Sequence, residues 1–215
     1  PTMTLFPMAR RLSRGAMLAL AMLVLAVPLA HATKLKKQNL IDLISQSDSI
    51  IAGTVKNVSD GIDDKGVPYT EITIAVGASA KGKTRTQKDY TFRQFGLLEP
   101  RAYPNGHKLL AMTPEAFPTW RKGEYVVAFL FRPASRTGLQ TTVGLAQGKF
   151  SLANERMAND FNNAGLFEGV DIDPKLLTRE EQAMLRSAGP VDMRTFMGLV
   201  GRTIEKRWIE NGEMK

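Results

Sequence analysis

The run Glu124-Tyr-Val-Val-Ala-Phe-Leu-Phe131 sets the architecture more firmly than any other segment. Side chains alternate across a strand, and here both alternating sets are apolar, so neither face of the strand is suited to water. The run therefore predicts a central strand of a sheet that is covered on both sides. Gly123 precedes it and Arg132-Pro133 with Gly138 follow, which supplies a turn at each end.

Other strand patterns surround this one. Ile50-Ile51-Ala-Gly-Thr-Val55 is apolar and β-branched and reads as a buried strand running to about Val58. Asp60-Gly61-Ile-Asp63-Asp64-Lys-Gly66 reads as a hairpin turn, because its acids lack the alternate spacing, sixth-position glycine and twelfth-position glutamate of an EF-hand loop. Ile72, Ile74 and Val76 alternate with Thr73 and Ala75 in a half-buried strand that ends at Lys81-Gly82-Lys83. Tyr90, Phe92 and Gln94 form a third strand closed by Gly96. Thr141–Val143 and Lys149–Leu152 supply two short ones. The expected fold is mainly β with α, a small five- to six-stranded antiparallel barrel whose closure removes its edges.

Helices flank this core. Asn39 is an N-cap with Asp42 three residues on, and Leu40, Leu43 and Ile44 repeat at helical spacing over Leu40–Gln46. Thr178-Arg-Glu-Glu181 is a capping box opening a helix to about Ser187, which Gly189-Pro190 ends. Asp192 caps a second helix, with Met193, Phe196, Met197, Val200, Ile204 and Trp208 on one stripe. Gly198 and Gly201 each cost about 1 kcal/mol there relative to alanine, so either a neighbour approaches closely or the helix is marginal.

The N-terminal segment speaks to location. Met8-Ala-Arg-Arg-Leu-Ser-Arg14 precedes an apolar run from Ala16 to Ala30, and Ala30-His31-Ala32 leads into Thr33. This is the layout of a secretory signal peptide, with Pro1–Pro7 upstream of a start at Met8. The run falls short of the about 20 apolar residues a membrane span requires, and no transmembrane span is expected after processing. Leu12-Ser13 lacks the hydrophobic pair of a twin-arginine signal, so general secretion to the periplasm or beyond is expected. The boundaries are then residues 1–32 removed, 33–152 the β domain, 153–177 an irregular connector and 178–215 a helical tail packed on the barrel.

The absence of cysteine matters once export is assumed. Small secreted domains often depend on disulfides, and this chain must rely on core burial. Thiolate catalysis and cysteine-based zinc sites are excluded. His31 leaves with the leader, so His107 is the only imidazole of the processed chain and no multi-histidine metal site can form within one protomer. The net charge of +8 falls to +5 when Arg10, Arg11 and Arg14 depart. In an exported protein this modest excess suits acidic envelope polymers, anionic lipid surfaces or solubility, rather than nucleic acid.

Several segments carry a resemblance. Leu43-Ile44, Ser47–Val55, Lys81-Gly82, Gly123–Leu130 and Gly144-Leu-Ala-Gln-Gly-Lys-Phe150 together look like an uncharacterised family of exported bacterial domains. They are similar to OB-fold and netrin-like β-barrels, the architecture shared by tissue metalloprotease inhibitors. The resemblance covers about Leu40 to Leu152 and implies the barrel. Tissue-type inhibitors present an N-terminal cysteine to the protease zinc, and this chain has none, so an inhibitory role gains little from it.

No catalytic constellation stands out. A Ser-His-Asp site would need His107, and no Gly-x-Ser-x-Gly elbow is present. Asp171 and Asp173 are paired as a glycosidase requires, yet Asp171-Ile-Asp173-Pro174 is ordinary turn chemistry ahead of a helix. Asn57-Val58-Ser59 fits a glycosylation sequon and is idle in a bacterium. The segment Gly96–Lys122 is long for a loop and is stiffened by Pro100, Pro104, Pro114 and Pro118. It carries the candidate binding residues Arg101, Tyr103, His107, Trp120 and Arg121. Two readings stand: these form a binding surface, or Phe117 and Trp120 plug one end of the barrel.

The expected function is non-enzymatic binding of a protein partner in the periplasm or outside the cell, without a cofactor or metal. A polyanion- or glycan-binding envelope module and a small hydrolase are the alternatives. The helical stripe packs on the barrel, pairs with a second copy, or docks on a partner or lipid surface, since Arg202, Lys206 and Arg207 adjoin it.

Overall fold

A computed structural model describes residues 35–103 and 105–215. The signal-peptide reading, with its cleavage site, lies outside the described residues. The elements in chain order are α1 (Leu40–Gln46), β1 (Ser49–Ile62), β2 (Pro68–Lys81), β3 (Asp89–Phe95), β4 (Arg101–Ala102), β5 (Lys108–Leu109), β6 (Tyr125–Leu130), β7 (Lys149–Ala153), β8 (Arg156–Ala158), α2 (Arg179–Leu185), β9 (Val191–Asp192) and α3 (Met193–Glu205). Seven strands form one antiparallel sheet in the order β3-β2-β1-β6-β7-β8-β9, while β4 and β5 pair separately.

This sheet is not the closed barrel expected from the sequence. The edge strands β3 and β9 lie at opposite ends of the strand order and do not pair. The ladder instead thins from fourteen-residue β1 and β2 to three-residue β8 and two-residue β9, which leaves little edge to protect. The long edge at β3 is met by the Gln140 amide, which donates to the Arg93 carbonyl at 2.8 Å. Thr141–Val143 is not a regular strand. It contributes one bridge, Leu130 to Thr142, beside the end of β6. β8 falls within the 153–177 stretch read as irregular, and pairs Leu152 with Met157.

β6 is central and apolar on both sides. Val126, Ala128 and Leu130 face a cluster with Ile51, Val55, Ile72, Ile74, Val76, Phe92 and Trp120. Val127 and Phe129 face the other way, into a larger cluster with Ile50, Ala52 and Phe150. The one-residue alternation between β1 and β6 fixes this division, with Ile50 opposite Phe129 and Ile51 opposite Ala128. Gly53 is required in β1, because a Cβ there would collide with the Ala75 carbonyl across the ladder.

Helices cover the larger cluster. α1 is started by a reciprocal box in which Asn39 Oδ1 accepts from the Asp42 amide at 3.0 Å and the Asp42 carboxylate accepts from the Asn39 amide at 3.4 Å. Its C-terminal Ile44 carbonyl accepts from Lys81 Nζ at 2.7 Å. Burial holds the Lys81 ammonium below its ordinary pKa, and the charges of Glu210 and Asp48 oppose that shift. α3 begins at Asp192, whose side chain accepts from the Thr195 amide at 2.8 Å. It sets Phe196 against Phe150, with ring centroids 5.2 Å apart, and against Phe129 at 6.3 Å. Phe196, Leu199 and Val200 are wholly buried. Beneath α3, Glu181 of α2 is ion-paired to Arg202, whose guanidinium also stands over the Trp208 ring at 5.3 Å.

Candidate functional site

The segment between β3 and β6 is a two-stranded ribbon rather than an irregular loop. Leu97 bridges to Met112, Arg101 pairs with Leu109, and Ala102 with Lys108. The turn at its tip is held by the Tyr103 amide donating to the His107 carbonyl at 2.7 Å and the Gly106 amide donating to the Tyr103 carbonyl at 3.0 Å.

Such a ribbon is barely stable alone, so its attachment matters. Asp60, near the far end of β1, is the anchor. One carboxylate oxygen accepts from the Leu98 and Glu99 amides at 2.8 and 2.9 Å, and the other binds the Arg101 guanidinium. Burial pushes the Asp60 carboxyl up, but the Arg101 hydrogen bond and the Glu99 and Leu98 amides outweigh it and hold the group below its ordinary pKa. Tyr103 adds a contact to the β1–β2 turn, its hydroxyl donating to the Gly66 carbonyl at 3.3 Å. The turn itself lies over Asp63–Gly66, where Asp63 Oδ1 accepts from the Lys65 and Val67 amides.

The five candidate residues take separate positions. Arg101 is exposed but committed to Asp60, and Tyr103 is half-buried against the hairpin turn. His107 is exposed at the tip, where its amide donates to Asn105 Oδ1 at 3.1 Å. Trp120 lies in the core. Its indole N–H donates to Gln94 Oε1 at 3.2 Å, and its ring meets Phe92 edge-on at 5.4 Å between centroids. Arg121 is exposed near the base, with its amide donating to Glu124 Oε1 at 2.7 Å. The ribbon therefore brings Arg101, Tyr103 and His107 together and leaves Trp120 beneath the sheet.

A buried ion pair supports Trp120 from below. Lys149 Nζ donates to both Glu124 oxygens at 2.8 and 2.9 Å and lies 5.4 Å from the indole centroid. Ser151 donates to the same carboxylate at 3.3 Å. Each charge has a partner, which is the condition under which burial of a pair is tolerated. Among the described residues, no group of three or more His, Asp or Glu side chains is arranged to hold a metal ion.

The surface residues that sequence reasoning missed are apolar. Leu98, Leu110 and Met112 are 47%, 70% and 40% exposed, three of the five large hydrophobic side chains so exposed among the described residues. Leu98 adjoins Leu97, whose backbone bridges to Met112, and Leu110 follows β5 directly, so all three lie along the two sides of the ribbon. β5 pairs with β4 alone, so its outer backbone edge has no strand partner among the described residues. Leu109-Leu110-Ala111-Met112 would have exposed this feature in the sequence, but an apolar run in a loop otherwise reads as core. No helix among the described residues is long and apolar enough to cross a membrane. The chain matches no protein-family model, no curated protein and no solved structure.

Proposed function

We propose that this is an exported, non-enzymatic binding protein that docks a protein partner through the ribbon, in the periplasm or outside the cell. The observation that carries the reading is the exposure of Leu98, Leu110 and Met112 on a ribbon anchored by Asp60. Exposed apolar side chains on one surface element favour association, because burying each removes it from water at about 25 cal/mol per Å². The unpaired edge of β5 adds a backbone template, so the partner lays an extended apolar segment along it. The N-terminal sequence layout supports export. Nucleic acid is not a partner in this reading, and neither a cofactor nor a metal is required.

The test is site-specific crosslinking in the producing cell. A photoreactive residue at position 110 or 98 should give one discrete protein adduct, and the same residue at exposed Phe161 should not. Leu98→Ser with Met112→Ser should abolish the adduct from position 110. Equal adducts from positions 110 and 161, or none from either ribbon position, would exclude the ribbon as the docking element.

A further inference from the structure

At the opposite end of the β1–β2 hairpin lies a second feature with different chemistry. A cleft of about 740 Å³ opens between the β2–β3 loop, the start of β1 and the segment that follows β6. This size is in the range of a small-molecule or oligomer site. Lys83, Arg85 and Lys88 line it from the loop, and Arg132 lines it from the other side.

The loop that carries these cations is fixed at both ends. Gly82 sits at φ +93° against β1, and a Cβ there would fall 2.8 Å from the Ser49 Cβ and 3.0 Å from the Asp48 carbonyl. Only glycine satisfies both the backbone angle and the close approach. At the other end the Gln87 amide donates to the Val76 carbonyl at 2.8 Å, and the Val76 amide donates to the Lys88 carbonyl at 3.0 Å. The cations therefore stand on a shaped loop rather than on a free tail.

The charges on the cleft walls do not balance. Asp48 is paired to Arg132 at 3.2 Å, and Asp89 is paired to Lys56 at 2.6 Å. Lys83, Arg85 and Lys88 have no ion-pair partner among the described residues. Three like charges close together repel one another, and an anion between them relieves that repulsion. Ser49, only 5% exposed, forms part of the wall, and its hydroxyl has no hydrogen-bond partner among the described residues.

We infer that this cleft binds a multiply charged oxyanion of the phosphate class, with Lys83, Arg85 and Lys88 as its principal contacts. Arg85 supplies a planar fork that matches phosphate geometry, while the two lysines act as point charges on neighbouring groups. A single phosphate engages only part of the loop. A ligand with several closely spaced phosphates reaches all three cations, whether it is a small soluble compound or a stretch of a phosphate-bearing polymer. The cleft is independent of the ribbon, which is anchored some eleven residues away along β1, about 36 Å at strand rise.

The probes are inorganic tripolyphosphate and a longer inorganic polyphosphate, titrated into the processed protein by calorimetry, with amide NMR shifts mapping the contact. Saturable binding that weakens as salt is raised is expected, with shifts at Ser49, Gly82–Lys88 and Arg132. The combined variant Lys83→Gln, Arg85→Gln and Lys88→Gln should weaken tripolyphosphate by at least about tenfold. A charge-matched control, Lys175→Gln with Arg179→Gln and Arg186→Gln, should change affinity less than about twofold, since these exposed residues lie outside the cleft. Affinity that levels off at three phosphates assigns a small ligand, and affinity that keeps rising with length assigns a polymer. Absence of saturable binding, or equal losses in the cleft variant and the control, overturns the inference. Crosslinking at the ribbon is read separately, so failure of one site leaves the other testable.

Discussion

α3 and the β4–β5 ribbon each carry apolar side chains beside basic ones, and they end in opposite environments. Phe196 of α3 is fully buried between Phe129 and Phe150, whereas Leu110 beside β5 is 70% exposed. The difference lies in geometry. A helix gathers its apolar residues on one stripe, which a sheet face can cover completely. A two-stranded ribbon presents residues to two sides and has too little area to bury both. Gly198 and Gly201 show how far the sheet dictates the outcome for α3. A Cβ at either would meet nothing within 4 Å, so no neighbour approaches closely there. Burial of Phe196, Leu199 and Val200 outweighs the propensity cost of the two glycines.

The sharpest way to break this comparison is to remove each element. Truncation after Gly189 deletes β9 and α3 and leaves Phe129 and Phe150 without their cover. The expected result is loss of a cooperative unfolding transition and strong binding of a hydrophobic dye. Replacing residues 99–111 with a short turn should preserve that transition. Next in size is Phe129→Ala, which should destabilise by about 3–5 kcal/mol in denaturant titration, because the residue is fully buried and touches two other aromatic rings. An unchanged midpoint would mean that the helix-covered face is not the principal core.

Legibility followed burial. β6 was evident because alternation failed on both faces of Tyr125–Leu130, and the helix starts at Asn39, Thr178 and Asp192 were evident because capping is local chemistry. The alternation of Ile72, Ile74 and Val76 likewise located β2. The open form of the sheet was not legible, since closure depends on which edges meet and strand patterns are the same in either case. β8 and β9 were missed because two or three residues carry no period. Trp120 and Arg101 illustrate the limit for the site. Composition marks Arg101 as a binding residue and leaves Trp120 either that or a plug of the core, and their contacts with Asp60 and Gln94 come from strands distant in sequence. Asp60 gave no signal beyond a turn-forming residue. Its task follows from where the ribbon lands on β1.

A smaller effect is expected from that anchor. Asp60→Ala removes the acceptor for the Leu98 and Glu99 amides and the partner of Arg101. It should cost about 1–2 kcal/mol and act locally, so hydrogen exchange at residues 97–112 should accelerate while β6 amides stay protected. Acid should act in the same direction. The carboxyl is held below its ordinary value of 3.8, so its contribution is complete above that pH. The contribution is lost as pH falls through the lower folded value, when the protonated group no longer serves as a charged acceptor. In the Asp60→Ala variant this part of the pH dependence of ribbon exchange should disappear. If wild type and variant lose ribbon protection in parallel on acidification, Asp60 is not the anchor.

The smallest effect on stability per site should come from the exposed residues themselves. Leu110→Ser removes a side chain that the folded protein leaves largely in water, and Leu98→Ser and Met112→Ser remove ones a little under half exposed, so limited packing is lost. The expected change in unfolding free energy is within about 0.5 kcal/mol for Leu110→Ser, the range for surface substitutions, and up to about 1 kcal/mol each for Leu98→Ser and Met112→Ser. If the ribbon docks a protein as proposed, Leu98→Ser with Met112→Ser should eliminate the adduct expected at position 110, because the apolar contacts are lost while Asp60 still holds the ribbon in place. An equivalent substitution in α3, such as Leu199→Ser, should show the reverse order, with a large loss of stability. A marked drop in stability for the ribbon combination would show that these side chains belong to the core after all. The two apolar segments would then differ in degree of exposure, not in role.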